Sequence, residues 1–151
     1  MSGEVKVSDE AEVLVERRER VLVITINRPQ VRNAFNLAVA KGLAEAMDEL
    51  DDTAELSVAI VTGAGGNFCA GMDLKAFMAG EVPAIPGRGI GFTERPPRKP
   101  VIAAVEGYAL AGGTEIVLAT DLVVAATNAK FGIPEVKRGL VAAGGGLLRL
   151  P

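Results

Sequence analysis

The sequence contains no histidine and no tryptophan, and it has one cysteine and one tyrosine among its 151 residues. The absence of histidine excludes Ser-His-Asp and Cys-His catalysis and removes the ligand that most catalytic zinc sites use. The lone cysteine, Cys69, cannot form a disulfide within the chain and fits a reducing cytoplasm. If the protein is an enzyme, carboxylates and backbone amides must therefore do most of the chemistry, and no metal site is expected.

The chain also lacks any apolar run long enough to cross a membrane, and its polar, acidic N-terminus has no hydrophobic signal segment. The net charge is −3, which argues against a general nucleic-acid binder. Hydrophobic residues make up 49% of the sequence, enough for a sizeable core, and the length predicts one domain. These features favour a soluble, cytoplasmic, single-domain protein.

The order of apolar runs, caps and glycines predicts an α/β fold. Apolar or alternating runs predict strands at residues 13–16, 21–27, 58–61, 101–105 and 121–125. Helical patterns that follow an N-cap or a glycine turn lie at residues 37–50, after Gly71, at 114–119 and after Gly146. Residues 1–10 are expected to be a flexible tail, and the Gly-, Pro- and Arg-rich residues 79–99 an irregular, mobile loop.

One stretch, residues 107–121, combines a glycine pair with an acid. Gly112 and Gly113 lie between a predicted strand and a predicted helix. Their N–H groups are unobstructed by side chains, and the helix N-terminus adds partial positive charge. Glu115 lies in the first turn beside these amides. The pattern favours stabilisation of a developing negative oxygen, as in chemistry on a thioester. Taken alone, a glycine turn or a first-turn acid is more often purely structural.

Four motifs, in order along the chain, resemble the enoyl-CoA hydratase/isomerase (crotonase) family. They are INRPQVRNAFN at 26–36, VTGAGGNFCAGMDL at 61–74, KPVIAAVEGYALAGGTEIVLATD at 99–121 and AKFGIPEVKRGLVAAGGG at 129–146. The resemblance implies a crotonase-like ββα spiral core over residues 11–151, without the C-terminal helical part that builds trimers. It also implies an acyl-CoA thioester substrate, no cofactor beyond the coenzyme A of that substrate, and a homotrimer or hexamer at full length.

The resemblance also implies site residues. The backbone N–H groups of Met72 and Gly112 would form an oxyanion hole for the thioester carbonyl. Glu115 and Glu135 would be the two catalytic glutamates, and from the chemistry of water addition we assign Glu115 as base on water and Glu135 as proton donor to carbon. Contacts to substrate and coenzyme A are implied for Arg32, Asn33, Ala34, Ala70, Asp73 and Leu74. Arginine at position 32 is as consistent with a solvated loop as with a phosphate contact.

The presence of both glutamates favours an enoyl-CoA hydratase, which adds water reversibly to a 2-enoyl-CoA. An enoyl-CoA isomerase, another acyl-CoA lyase of the family and a non-catalytic acyl-CoA-binding fragment are the alternatives. Ala111 stands where many family members have a glycine, a departure expected to be mild. The chain ends a few residues into a predicted helix, which is expected of a fragment of a longer protein.

Overall fold

The computed structural model describes residues 11–151, so the predicted tail at 1–10 lies outside the described residues. The strands are β1 Val13–Arg18, β2 Val21–Ile26, β3 Val58–Gly63, β4 Val101–Val105, β5 Tyr108–Leu110, β6 Leu122–Ala125 and β7 Lys130–Gly132. The α-helices are α1 Leu37–Asp52, α2 Leu74–Met78, α3 Gly112–Leu118 and α4 Gly146–Arg149. Short 3-10 helices cover Pro29–Val31, Ala64–Gly66 and Glu135–Arg138.

The main sheet has the order β1-β2-β3-β4-β6, and a small second sheet pairs β5 with β7. Strand β1 is antiparallel to β2, whereas β2, β3, β4 and β6 run parallel. Each parallel strand is followed by a strand or single β-bridge of a second layer and then by helical structure. The bridges join Phe35 with Met72 and Cys69 with Ala109. This repeat of strand, short strand and helix confirms the predicted α/β organisation.

Helix α1 covers one face of the main sheet. Asn36 Oδ1 accepts a hydrogen bond from Val39 N at 2.9 Å, which confirms the predicted N-cap. The buried stripe of the helix includes Leu43, Met47 and Leu50, all in one core cluster with the inward residues of β2 and β3. Burial alternates along β2, as expected for a strand with one covered face.

Two sequence-based expectations need correction. Strand β5, Tyr108–Leu110, was not predicted, because three residues are too few to show a periodicity and its partner β7 lies twenty residues away. Residues 30–36, for which the sequence predicts neither helix nor strand, include part of a 3-10 turn and bury Asn33 and Phe35.

The long segment 79–99 has no helix or strand, as predicted. However, Ile90 and Phe92 in its middle are buried in the main core, so this part of the segment is packed. Within residues 11–151, no helix is both long and apolar enough to span a bilayer.

Candidate active site

A cavity of about 590 Å³ opens among the segments that follow β2, β3, β4 and β7. The structure brings many of the predicted site residues to its wall, namely Ala70, Met72, Leu74, Gly112, Glu115 and Glu135. The remaining predicted residues, Arg32, Asn33, Ala34 and Asp73, lie outside that wall. The implied catalytic residues therefore line the cavity, whereas most of the residues implied to contact substrate and coenzyme A do not.

The loops that carry Met72 and Gly112 run side by side. Cys69 N donates to Tyr108 O and Leu110 N donates to Cys69 O, both at 2.9 Å, which fixes the loops in parallel. At Gly71 the backbones come so close that a Cβ would lie 2.9 Å from Ala111 Cβ and 3.8 Å from Gly112 N. Only glycine fits this approach, which explains the residue before Met72.

A residue with positive φ precedes each of the two implied donors. Gly71 has φ 105°, and Ala111 has φ 52° with ψ −124°. Within the described residues, neither Met72 N nor Gly112 N donates to a backbone acceptor. For Gly112 this follows from its place at the first position of α3, where N–H groups have no partner in the helix. Both N–H groups are thus available to a ligand oxygen.

Ala111 departs from the expectation of a mild change. Its φ and ψ belong to a region that glycine adopts readily and that costs an L-residue about 1–3 kcal/mol. The conformation is maintained by neighbours, since Ala111 N donates to Gly132 O at 2.8 Å. Thr114 Oγ1 further ties α3 to the second sheet, through Ala109 O at 2.6 Å and Gly132 O at 2.9 Å. The strain lies in the peptide that carries the Gly112 N–H.

Glu115 is held by the triple-glycine segment near the end of the chain. Its side chain is 3% exposed, and its Oε1 accepts a hydrogen bond from Gly146 N at 3.0 Å. A Cβ on Gly144 would lie 2.7 Å from Glu115 Oε2, so glycine makes room for the carboxyl. Glu115 is therefore held by one hydrogen-bond donor, and its carboxyl fills the space that a side chain at Gly144 would occupy.

Glu135 begins a 3-10 turn after Pro134 and faces the same cavity. Its Oε2 is buried and has no hydrogen-bond partner among the described residues. Burial raises the pKa of Glu135 above its usual range, a hydrogen bond from its own backbone N–H opposes the shift, and the charge of Glu115 raises the pKa further. The charge of one carboxyl thus affects the pKa of the other. Their environments differ, because Glu115 has a hydrogen-bond donor whereas Glu135 Oε2 has none among the described residues.

Asn33, one of the implied coenzyme A contacts, has a fully buried side chain. Its Oδ1 accepts from Arg28 N at 2.8 Å, and its Nδ2 donates to Ala64 O at 2.8 Å and Asn67 O at 2.6 Å. The side chain joins two loops, so a contact with coenzyme A from this residue would have to come from its backbone.

Asp73 also has structural partners. Its Oδ1 caps α2 by accepting from Lys75 N at 3.1 Å and Ala76 N at 3.2 Å, and its Oδ2 pairs with Arg28 Nη2 at 3.0 Å. Burial tends to raise the pKa of Asp73, but the hydrogen bonds from Ala76 and Arg28 outweigh it and lower the pKa on balance. The Asp73 carboxylate therefore serves the fold of this loop.

Arg32 and Ala34 bracket Asn33. The exposed Arg32 guanidinium lies 5.5 Å from the centroid of the Tyr108 ring, and Arg32 O accepts from Ala70 N at 3.0 Å. Ala34 O accepts from Arg28 Nη1 at 2.6 Å. The contacts of these residues with coenzyme A stay predictions of the resemblance.

Sequence reasoning missed the roles of Gly144, Gly146 and Arg28. The three consecutive glycines at 144–146 indicated only a helix start, although such a run also signals close packing against another group. Arg28 gave no signal, because its partners Asp73 and Ala34 are known only once the loops have folded together.

Comparisons with known proteins identify the family of this chain. A family model described as enoyl-CoA hydratase/isomerase matches residues 16–151. An enoyl-CoA hydratase of Mycobacterium tuberculosis is 44% identical over 92% of this chain and 55% of that protein. A carnitinyl-CoA dehydratase of Salmonella heidelberg is 47% identical over 89% of this chain and 53% of that protein.

Solved structures of members of this family are also similar to this chain. A crystal structure of an enoyl-CoA hydratase from Mycobacterium tuberculosis superposes with a TM-score of 0.92 and 72% identity, over 94% of this chain and 56% of that one. A carnitinyl-CoA hydratase from Mycobacterium avium gives a TM-score of 0.89 and 47% identity, over 93% of this chain and 56% of that one. The chain spans about half the length of the relatives it matches. It has the crotonase fold and belongs to the enoyl-CoA hydratase/isomerase family.

Proposed function

We propose that the protein is an enoyl-CoA hydratase, which adds water reversibly across the double bond of a 2-enoyl-CoA thioester. The observation that carries the proposal is the meeting of two carboxyls and two free backbone N–H groups at one cavity. Glu115 and Glu135 line it together with Met72 and Gly112. Relatives named enoyl-CoA hydratase and carnitinyl-CoA dehydratase support the addition or removal of water as the class of reaction.

In this proposal the thioester oxygen accepts hydrogen bonds from the N–H groups of Met72 and Gly112. Attack of water on the β-carbon moves negative charge onto that oxygen and gives an enolate. Preorganised donors stabilise such charge strongly in a site shielded from water, and removing one donor typically costs about 10²–10³ in rate. The positive φ of Gly71 and Ala111 keeps both donors oriented before substrate arrives.

The two carboxyls have different proton-transfer roles. Glu115, whose Oε1 is held by Gly146 N, takes the proton from the attacking water. Glu135, whose pKa is raised by burial and by the charge of Glu115, keeps its proton more readily and gives it to the α-carbon. Removal of water from a 3-hydroxyacyl-CoA uses the same groups in reverse.

Apolar side chains complete the acyl-binding part of the cavity, with Leu74, Phe77, Val82, Leu140 and Val141 among them. Such a lining accommodates a hydrocarbon chain and limits the entry of water to the reacting carbons. We propose that coenzyme A contacts the Arg32–Ala34 loop, as the resemblance of the sequence motifs implies. A trimeric assembly and a cytoplasmic location are further parts of the proposal.

Hydration of crotonyl-CoA tests the proposal, followed by the loss of ultraviolet absorbance of the conjugated thioester. Glu115→Gln and Glu135→Gln should each lower kcat by about 10²–10⁴, the range typical for loss of a general acid or base. Glu55→Gln, which removes an exposed acid outside the cavity wall, is the matched control. Native rates in both cavity variants would refute the assignment.

Two further assays separate the alternatives. Conversion of a 3-enoyl-CoA to the 2-enoyl isomer, without hydration, would favour an isomerase. Calorimetric binding of acetoacetyl-CoA without turnover of any substrate would favour a non-catalytic acyl-CoA binder.

A further inference from the structure

Arg28 is a largely buried cation beside the loop that carries Met72, and the chemistry proposed above gives it no role. Its side chain is 12% exposed, and it does not line the cavity, so it cannot contact a substrate there. A charged group that is withdrawn from water is costly to the fold unless other groups pair with it. The partners of Arg28 therefore indicate what it holds in place.

The guanidinium joins the segment that follows β2 to the segment that follows β3. Its Nη1 donates to Ala34 O at 2.6 Å, and its Nη2 lies 3.0 Å from Asp73 Oδ2. Glu12 Oε1 lies 3.1 Å from Nε and places a second negative charge beside the guanidinium. Arginine presents its donors in a rigid planar fork. Arg28 therefore fixes the Ala34 carbonyl relative to the Asp73 carboxylate.

The partners of Arg28 are next to the two residues of a parallel β-bridge, Phe35 and Met72. In this bridge Phe35 N donates to Gly71 O at 2.9 Å, and Asp73 N donates to Phe35 O at 2.8 Å. N–H groups of successive residues in an extended segment point to opposite sides. Because the Asp73 N–H points to Phe35, the Met72 N–H points away from it.

The segment that carries Gly112 lies on this other side of the loop, since a Cβ on Gly71 would be 3.8 Å from Gly112 N. We propose that Arg28 is a positioning residue for the oxyanion hole, because it holds together the β-bridge that directs the Met72 N–H. The inference rests on the proposed function, since it concerns one of its two donors. Without the guanidinium, the Asp73 carboxylate loses its charged partner and the bridge keeps only its backbone hydrogen bonds. Misplacement of a reacting group by about 1 Å can cost roughly 10²-fold in rate.

Infrared spectra of a bound thioester test the inference. The probe is butanoyl-CoA labelled with a heavy carbon isotope at the thioester carbonyl, and it has no double bond to hydrate. Hydrogen bonds to a carbonyl oxygen lower its stretching frequency, so the shift on binding measures the oxyanion hole without turnover. We expect the native chain to lower this frequency and Arg28→Met to lose about half of the shift, because one of two donors is misplaced. For crotonyl-CoA hydration, kcat of Arg28→Met should fall about tenfold to a hundredfold, with a smaller change in KM.

Two further variants accompany Arg28→Met. Asp73→Asn keeps the oxygen that caps α2 but replaces the one that pairs with Arg28, so it should lose a similar part of the shift. It decides the result if Arg28→Met does not fold. Lys99→Met is the matched control, because Lys99 Nζ also joins two backbone carbonyls, Leu50 O at 2.7 Å and Thr53 O at 2.6 Å, but outside the cavity wall. It should keep the native shift.

A native shift in folded Arg28→Met or in Asp73→Asn, or an equal loss in Lys99→Met, would overturn the inference. Hydration of crotonyl-CoA is measured on the same samples. If the native chain hydrates crotonyl-CoA and Arg28→Met keeps the shift, only the role of Arg28 is removed. A shift that depends on Arg28 without hydration by the native chain removes only the hydratase activity. A native chain that binds the probe without a shift, or does not bind it, contradicts both.

Discussion

Replacing Gly144 with alanine tests whether the position of the Glu115 carboxyl controls activity. The added Cβ would lie 2.7 Å from Glu115 Oε2, 2.9 Å from its Cδ and 3.1 Å from Ile90 Cδ1. Glu115 is 3% exposed and its Oε1 is bonded to Gly146 N, so the carboxyl has little room to swing away. It must retreat by about 0.7 Å to restore an ordinary contact of 3.4 Å.

Misplacement of a reacting group by about 1 Å can cost roughly 10²-fold in rate. We therefore expect Gly144→Ala to lower kcat for crotonyl-CoA hydration by about tenfold to a hundredfold, with a smaller change in KM. The crowding itself should destabilise the fold by roughly 1–3 kcal/mol, which urea denaturation measures separately.

Gly132→Ala is the matched control for this experiment. Its Cβ would meet only Leu110 Cδ2, at an ordinary 3.5 Å, and neither Gly132 nor Gly144 has a positive φ that would strain an alanine. A Gly144→Ala chain with native kcat would refute the reasoning, because it would show that Glu115 tolerates displacement or takes no part in the chemistry.

Three further changes have defined outcomes. Ala111→Gly should raise the free energy of unfolding by about 1 kcal/mol in urea titration, because it relieves the positive φ; a destabilised variant would contradict the strain. Asn33→Ala should lower that free energy by about 3 kcal/mol, because it empties a buried site and leaves the partly buried Arg28 N and Asn67 O without these hydrogen bonds; a near-native midpoint would be inconsistent with this. The pKa of Glu135, followed by carbon NMR, should lie above its usual range and fall in Glu115→Gln, which removes a charge; an unchanged value would show that the carboxyls do not interact.

The main sheet could be predicted from the sequence because its strands are short runs in which apolar residues are continuous or alternate with others. The helix over residues 37–50 was also predictable, because Asn36 caps it and its apolar residues follow the helical period. In the structure it ends at Asp52. Strand β5 was not predictable in this way, because its pairing with β7 depends on residues that meet only after folding. Local patterns thus indicate elements that are stable by their own periodicity.

For the candidate site, too, the sequence indicated residues within one local pattern but not those whose role depends on long-range contacts. Glu115 and Gly112 could be proposed from a strand, a glycine pair and a helix start within one stretch, whereas Glu135 depended on the family resemblance. The structural use of the Asp73 carboxylate was not visible, because it depends on Arg28, which lies forty-five residues earlier. Long-range contacts decide which polar residues face the cavity and which support the loops.

The most direct measurement is a crystal structure of the chain with acetoacetyl-CoA. The account predicts the thioester oxygen about 2.7–3.1 Å from both Met72 N and Gly112 N, with the carboxyls of Glu115 and Glu135 beside the two carbons next to it. A thioester bound away from these two N–H groups, or a carboxyl turned out of the cavity, would contradict it.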